Sequence, residues 1–142
     1  MGGYKKAIPI GTEFFQTLRE DDCYSVDKTG IIEKLLESKL AVMLFLRPRR
    51  FGKTLMLDML KCFFEDTRDE AQNEARRALF TGLEVEGSKL CKAHQTRYPV
   101  VTLTLKSAKQ DTWDWAYSKL VEVIAGEFKK QAEVAKYLND QA

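Results

Sequence analysis

The sequence has few of the residues that mark disulfide-stapled or metal-stabilised domains. Its three cysteines, Cys23, Cys62 and Cys91, are an odd number without paired spacing. This count argues against a secreted disulfide framework and predicts reduced thiols in a cytoplasmic protein. The single histidine, His94, forms one Cys-x-x-His pair with Cys91, whereas a structural zinc site needs about four ligands. We therefore expect no zinc site there, and we expect Cys62 to lie in the core.

Long apolar runs are also absent. The longest run, from Leu40 to Leu46, is far shorter than the roughly 20 residues that cross a bilayer as a helix. The first six residues are not followed by the apolar stretch that a signal peptide requires. Lys6 departs from the N-myristoylation pattern. These absences predict a cytoplasmic protein with no membrane partner.

Neither sign of charge dominates the chain. The 23 Lys and Arg residues against 21 Asp and Glu residues leave a net charge of +2, which is too small to indicate a nucleic-acid partner. Hydrophobic residues make up 44% and charged residues 31% of the 142 residues, as in an ordinary soluble domain. We expect residues 1–12 to form a tail and residues 13–142 to form a single domain or part of one.

A strong motif lies between two apolar segments. Residues 47–54, Arg-Pro-Arg-Arg-Phe-Gly-Lys-Thr, follow the apolar run 41–46 and precede the apolar segment 55–64. The order of strand, loop, Gly-Lys-Thr and helix is typical of a phosphate-binding loop, because the backbone N–H groups of the turn and the helix start point at the anion. Arg47 stands where the usual loop opens with glycine. A basic turn between a core strand and a core helix therefore stays open as an alternative.

Each residue type in this motif suits phosphate binding. Gly52 allows close backbone approach, Lys53 places a compact positive charge near the outer phosphates, and the Thr54 hydroxyl suits Mg²⁺. The arginines of the loop either add charge to the phosphate pocket, stay solvated or contact a neighbouring subunit. The predicted nucleotide-binding set is Arg49, Arg50, Phe51, Gly52, Lys53, Thr54 and Leu55, with Thr54 as the metal ligand and with no catalytic residue.

The motif resembles the phosphate loop of the AAA-ATPase-like family of bacterial and archaeal P-loop proteins, in which Arg-Pro-Arg-Arg-Phe replaces the glycine-rich opening. Further segments are similar to landmarks of that family: 8–11, 24–29 (Tyr-Ser-Val-Asp-Lys-Thr), 79–83 and 98–101. The resemblance runs from about Ala7 to about Lys130. It implies that ATP and Mg²⁺ are bound, and it implies a place near the nucleotide for Asp27, Lys28 and Thr29. Capping of the following helix by Asp27 or Thr29 explains the same residues.

Hydrophobic spacing predicts helices over 13–20, 30–38, 53–65, 69–79 and 112–138, with a short turn of helix at 90–95. It also predicts two buried strands, 40–46 and 100–105. Strands separated by helices indicate a parallel sheet with crossover helices. We therefore predict an α/β fold, an incomplete P-loop NTPase with a helical lead-in. Trp113 and Tyr117 repeat at helical spacing, which favours a core position over stacking on a base.

One part of a P-loop ATPase is missing from the sequence. No apolar strand ends in the Asp or Asp-Glu that holds magnesium, and by resemblance this strand lies beyond residue 142. We expect the chain to be the N-terminal part of a larger ATPase module that is inactive alone. Two other hypotheses remain. One is a basic nucleic-acid-binding module built on Arg47, Arg49, Arg50 and Lys53, and the other is an interaction module that self-associates through exposed sheet edges.

Overall fold

The computed structural model describes residues 6–9, 11–48, 51–106 and 109–130. These residues form six α-helices and one 3-10 helix. The α-helices are α1 (Phe15–Glu20), α2 (Gly30–Ser38), α3 (Lys53–Phe64), α4 (Glu70–Ala78), α5 (Lys89–His94) and α6 (Trp113–Lys130), and the 3-10 helix is Glu84–Gly87. The chain divides into two compact units, Met1–Tyr98 and Pro99–Ala142.

The predicted α/β fold with parallel strands is wrong. Residues 40–46 and 100–105 carry no strand assignment, and β pairing in the described part of the chain is limited to an isolated parallel bridge between Glu65 and Tyr98. Leu40, Val42, Leu44 and Leu46 in the first segment are exposed, Val42 to 83%, and Met43 and Phe45 are half-buried. The physical reason is that a strand needs a neighbour for its backbone N–H and C=O groups. An apolar run predicts burial of side chains but specifies no such neighbour.

Two further expectations change with this correction. The sheet edges invoked for self-association do not exist among the described residues, so self-association itself stays an untested prediction. The core position expected for Trp113 and Tyr117 is wrong, because these side chains are 76% and 55% exposed. Their rings lie 6.0 Å apart on α6. Helical spacing brought the two rings together but did not bury them.

The first unit has a well-packed aromatic and aliphatic core. The Phe80 ring stacks on Phe15 at 5.0 Å and meets Phe63 edge-on at 5.1 Å, so α1, α3 and the segment after α4 share one cluster. Cys62 is buried, as predicted. The buried apolar set is Phe15, Leu18, Ile32, Met59, Cys62, Phe63, Phe80, Val85 and Cys91.

Polar contacts connect the helices around this core. The Asp58 carboxylate of α3 accepts a hydrogen bond from the N–H of Phe15, the first residue of α1 (2.7 Å). The Arg19 guanidinium of α1 donates to the carbonyls of Leu79 (2.8 Å) and Thr81 (2.9 Å) after α4. Such bonds satisfy helix ends and loop carbonyls that have no partner in their own element.

The second unit contains a segment without regular secondary structure, 99–105, and helix α6. Val101, Leu103 and Leu105 in this segment are 49–64% exposed. None of the described residues of α6 is buried. The predicted helix 112–138 is confirmed up to Lys130, and its remainder lies outside the described residues.

Candidate phosphate site

The turn before α3 adopts the conformation that its glycine permits. Gly52 has φ +75° and ψ 28°, in the left-handed region that other residues enter at a cost. The carbonyl of Gly52 accepts the N–H of Met56 (2.9 Å), so the first turn of α3 starts directly at this glycine. The N–H groups of the first turn of α3 have no partner within the helix and are available to an anion.

The Lys53 side chain folds back across this turn. Its ammonium donates to the carbonyl of Arg47 at 2.7 Å, in an exposed position. An ammonium has three N–H donors, so this bond leaves two for a ligand. Lys53 thus holds positive charge beside the Arg47 carbonyl, before the start of α3.

The other predicted site residues are placed as follows. Phe51 is 60% exposed, Thr54 is exposed, and Leu55 is half-buried against the core. Arg49 and Arg50 lie outside the described residues. The structure therefore brings Gly52, Lys53 and the Arg47 carbonyl together, and it leaves Thr54 accessible at the start of α3.

The segment before α2 lies against the same turn. The ammonium of Lys28 is 3.8 Å from the position that a Cβ at Gly52 would occupy. A second cation therefore stands beside the glycine, contributed by a residue 24 positions earlier in the chain. Nothing in the spacing of the Gly-Lys-Thr motif indicates this cation, although the Tyr-Ser-Val-Asp-Lys-Thr segment contains it.

Asp27 fastens this segment to the rest of the unit. One carboxylate oxygen accepts the backbone N–H (2.8 Å) and the hydroxyl (2.7 Å) of Thr29, and the other accepts the N–H of Glu84 (2.7 Å). The Thr29 hydroxyl in turn accepts the N–H of Val85 (3.2 Å). Partial burial raises the pKa of Asp27, but these hydrogen bonds outweigh it and hold that pKa below its usual value.

The capping alternative is wrong for Thr29, whereas Asp27 accepts the backbone N–H of Thr29 at the start of α2. Thr29 occupies the N-cap position of α2, but its side chain makes no capping hydrogen bond. Its buried hydroxyl and the Asp27 carboxylate hold the 84–85 backbone instead. Both residues therefore fix the position of Lys28 beside Gly52.

A cavity of about 220 Å³ opens beside the turn, and we call it the lead-in cavity. Residues 24–29, α1 and α3 contribute most of its lining, together with Pro9, Gly52 and Leu83. Sequence reasoning missed this cavity, because its walls come from segments far apart in the chain. Its lining residues are Pro9, Phe15, Leu18, Arg19, Tyr24, Ser25, Val26, Asp27, Lys28, Thr29, Gly52, Leu55, Met56, Met59 and Leu83.

Metal-binding side chains do not cluster in the described ranges, which contain no group of three or more His, Cys, Asp and Glu residues that could hold an ion. The acids on and after α3 have structural partners: Asp58 accepts the Phe15 N–H, and Glu65, at the far end of the helix, pairs with Arg76 at 2.5 Å. The ring nitrogen Nδ1 of His94 contacts the Tyr98 hydroxyl. The donor set at the turn is therefore one threonine hydroxyl, which suits Mg²⁺ only when phosphate oxygens and water complete its shell.

Residues 9–141 match the model of a protein family described as "Predicted AAA-ATPase". The chain belongs to the AAA-ATPase-like family. The resemblance stated from the sequence motifs is therefore confirmed over nearly the whole chain. The turn at Gly52, the segment 24–29 and the lead-in cavity all lie within the matched region.

The AAA-ATPase-like chain also resembles a curated protein. It is 46% identical over 82 residues to the "Uncharacterized protein in vnfD 5'region" of Azotobacter chroococcum mcd 1, covering 57% of this chain and 14% of that protein. The chain thus spans a small part of that relative's length. No solved structure matches the chain. Among the described residues, no helix is both long and apolar enough to cross a bilayer.

Proposed function

We propose that this AAA-ATPase-like chain binds ATP with Mg²⁺, and that the turn around Gly52 holds the phosphates. The observation that supports the proposal most directly is the left-handed Gly52 at the start of α3, with Lys53 folded over the turn. Backbone N–H groups and a helix dipole favour an anion at this position.

The roles of the residues follow from their chemistry. The N–H groups from Phe51 to Leu55 contact the phosphate oxygens, and Arg49 and Arg50, which directly precede them in the sequence, add positive charge for the phosphates. Lys53 exchanges its bond to the Arg47 carbonyl for bonds to the outer phosphates, where charge-assisted bonds are about twice as strong as neutral ones. Lys28 adds positive charge from the other side of Gly52.

Thr54 is the residue that would hold Mg²⁺ in this proposal. Its hydroxyl is exposed at the first turn of α3, and the ion would neutralise charge on the phosphates when bound. The chain itself supplies only the hydroxyl ligand and the orientation of the phosphates. ATP hydrolysis by this chain alone should be near background, because the sequence has no acid after an apolar strand to complete the magnesium site.

Calorimetric titration with Mg-ATP and Mg-ADP tests the proposal. Lys53→Ala should weaken binding about tenfold or more, because it removes a charged donor to the phosphates. Lys34→Ala is a matched control, since Lys34 is an exposed lysine on α2 that does not line the lead-in cavity. Equal affinity for the wild type and Lys53→Ala, or no binding by the wild type, would contradict the proposal.

A further inference from the structure

The lead-in cavity adjoins the proposed phosphate site through two shared residues. Gly52 belongs to the turn and also lines the cavity, and Lys28, whose ammonium lies beside Gly52, lines the cavity too. A ligand that places an anion at Gly52 therefore has the cavity directly beside that anion. The deeper walls are apolar and are formed largely by Phe15, Leu18, Leu55, Met56, Met59 and Leu83.

Three of the polar side chains that line the cavity, those of Arg19, Asp27 and Thr29, are engaged in the fold, and Tyr24, Ser25 and Lys28 line it as well. The Arg19 guanidinium donates to the Leu79 and Thr81 carbonyls. The Asp27 carboxylate accepts hydrogen bonds on both oxygens, and the Thr29 hydroxyl both donates to Asp27 and accepts from Val85. These side chains hold the wall in place, so they are poorly suited to reading the polar edge of a ligand.

The volume of the lead-in cavity limits the size of the ligand group that it can bury. Sites that bury a drug-sized ligand measure about 300–1,000 Å³, whereas the lead-in cavity measures about 220 Å³. The cavity therefore suits one planar ring system, with the remainder of the ligand outside at the turn. Aromatic rings bury a large apolar area and need few polar partners.

We propose that the lead-in cavity binds the nucleobase of the nucleotide, and that it does so by apolar contact rather than by hydrogen bonds to the exocyclic amine. This inference rests on the proposed function, because the phosphates at Gly52 orient the base towards the cavity. Two consequences follow. The base contributes strongly to affinity, and removal of its amino group changes affinity little.

Three ligands separate these consequences, each titrated with Mg²⁺ into the wild-type chain: ATP, purine riboside 5′-triphosphate (which lacks the amino group) and inorganic triphosphate. Inorganic triphosphate carries at least as much negative charge as ATP, so electrostatics alone would favour it. We expect it to bind at least about tenfold more weakly than ATP, because it buries no ring. Purine riboside triphosphate should bind with an affinity within about fivefold of that of ATP. A site that hydrogen-bonds the amino group would instead bind this analogue considerably more weakly than ATP.

Cavity-filling variants give an independent readout. Leu83→Trp adds a ring inside the cavity and should weaken ATP binding at least about tenfold. The affinity of the same variant for inorganic triphosphate should stay within about twofold of the wild-type affinity. Leu79→Trp is the matched control, because Leu79 is another partly buried leucine but does not line the cavity. Circular dichroism and thermal melts establish that each variant is folded. If Leu83→Trp does not fold, the three-ligand comparison on the wild type decides alone.

The outcomes distinguish this inference from the proposed function. If inorganic triphosphate binds as tightly as ATP, and Lys53→Ala weakens both, the phosphate site stands and the base site is wrong. If loss of the amino group weakens binding more than about fivefold, apolar recognition is wrong. If Leu83→Trp weakens ATP and inorganic triphosphate equally, the cavity is not the base site. If no ligand binds, or Lys53→Ala has no effect, the proposed function itself fails.

Discussion

Asp27 accepts a hydrogen bond from the backbone N–H of Glu84, 57 residues further along the chain, at 2.7 Å. The same carboxylate binds the N–H and hydroxyl of Thr29. One side chain thereby holds the segment that carries Lys28 against the turn at Gly52. Stability and ligand binding should therefore both respond to its replacement.

Asp27→Ala should lower the free energy of unfolding by about 1–2 kcal/mol, because a charge-assisted bond contributes about 1.5–3 kcal/mol when buried and less at a partly exposed site. Asp27→Asn keeps an acceptor oxygen on the side chain and should lose less stability than Asp27→Ala. Urea denaturation of the three proteins measures the difference. Identical midpoints for the wild type and Asp27→Ala would contradict the role assigned to this carboxylate.

Acid should remove part of this stability. The pKa of Asp27 in the folded protein is held below its usual 3.8. The stability that the ionised carboxylate contributes is therefore complete above that usual value, and it is lost as the pH falls through the pKa of the folded state. The pKa of Asp66 is lowered too, by hydrogen bonds from Asn73 and the Arg68 N–H. Thermal melts between pH 6 and about pH 2.5 should show a falling melting temperature below about pH 4, and a shallower fall in Asp27→Asn. A slope unchanged by Asp27→Asn would contradict the prediction.

Gly52→Ala should weaken Mg-ATP binding and destabilise the fold by about 1–2 kcal/mol, because φ is +75° at this position. Crowding is not the reason, since a Cβ would meet only the Lys28 ammonium at 3.8 Å. Gly87→Ala is the control, because a Cβ there meets nothing within 4 Å and its φ lies outside the left-handed region. Calorimetry and thermal melts measure both effects. Equal behaviour of the two variants would refute the assigned backbone requirement.

Asp58→Ala should destabilise the first unit by about 1–2 kcal/mol, because the Asp58 carboxylate caps the start of α1 through the Phe15 N–H. Phe14, at the N-cap position, provides no side-chain cap. Asp58→Asn retains an oxygen acceptor and should be destabilised much less than Asp58→Ala. Chemical denaturation measures all three proteins, and no loss in Asp58→Ala would disprove the capping role.

Thiol reactivity should follow burial. Burial, together with the Asp58 charge, raises the pKa of Cys62 to about 11, so at pH 8 its thiolate fraction is on the order of 0.1%. Burial also raises the pKa of the Cys91 thiol. Iodoacetamide at pH 8, followed by peptide mass spectrometry, should modify the partly exposed Cys23 first. Denaturant should remove the difference, and fast labelling of Cys62 in the folded chain would contradict this reading.

Local patterns predicted the helices well. The bounds of α2 were predicted as 30–38, and α3 was predicted from Lys53 to within one residue of its end. Apolar spacing decides such elements because a helix satisfies its backbone hydrogen bonds within itself. The strands at 40–46 and 100–105 were wrong, because a strand depends on a neighbour that its own residues do not specify.

The sequence by itself determined the family, through the 47–54 motif and its accompanying segments, and it determined that a helix starts at Gly-Lys-Thr. These are local properties of residue order. Only the tertiary structure decided that Lys28 stands beside Gly52, that Asp27 holds it there through Glu84, and that a cavity opens next to the turn. Those relationships arise from packing between segments distant in the chain, which hydrophobic spacing along the chain does not encode.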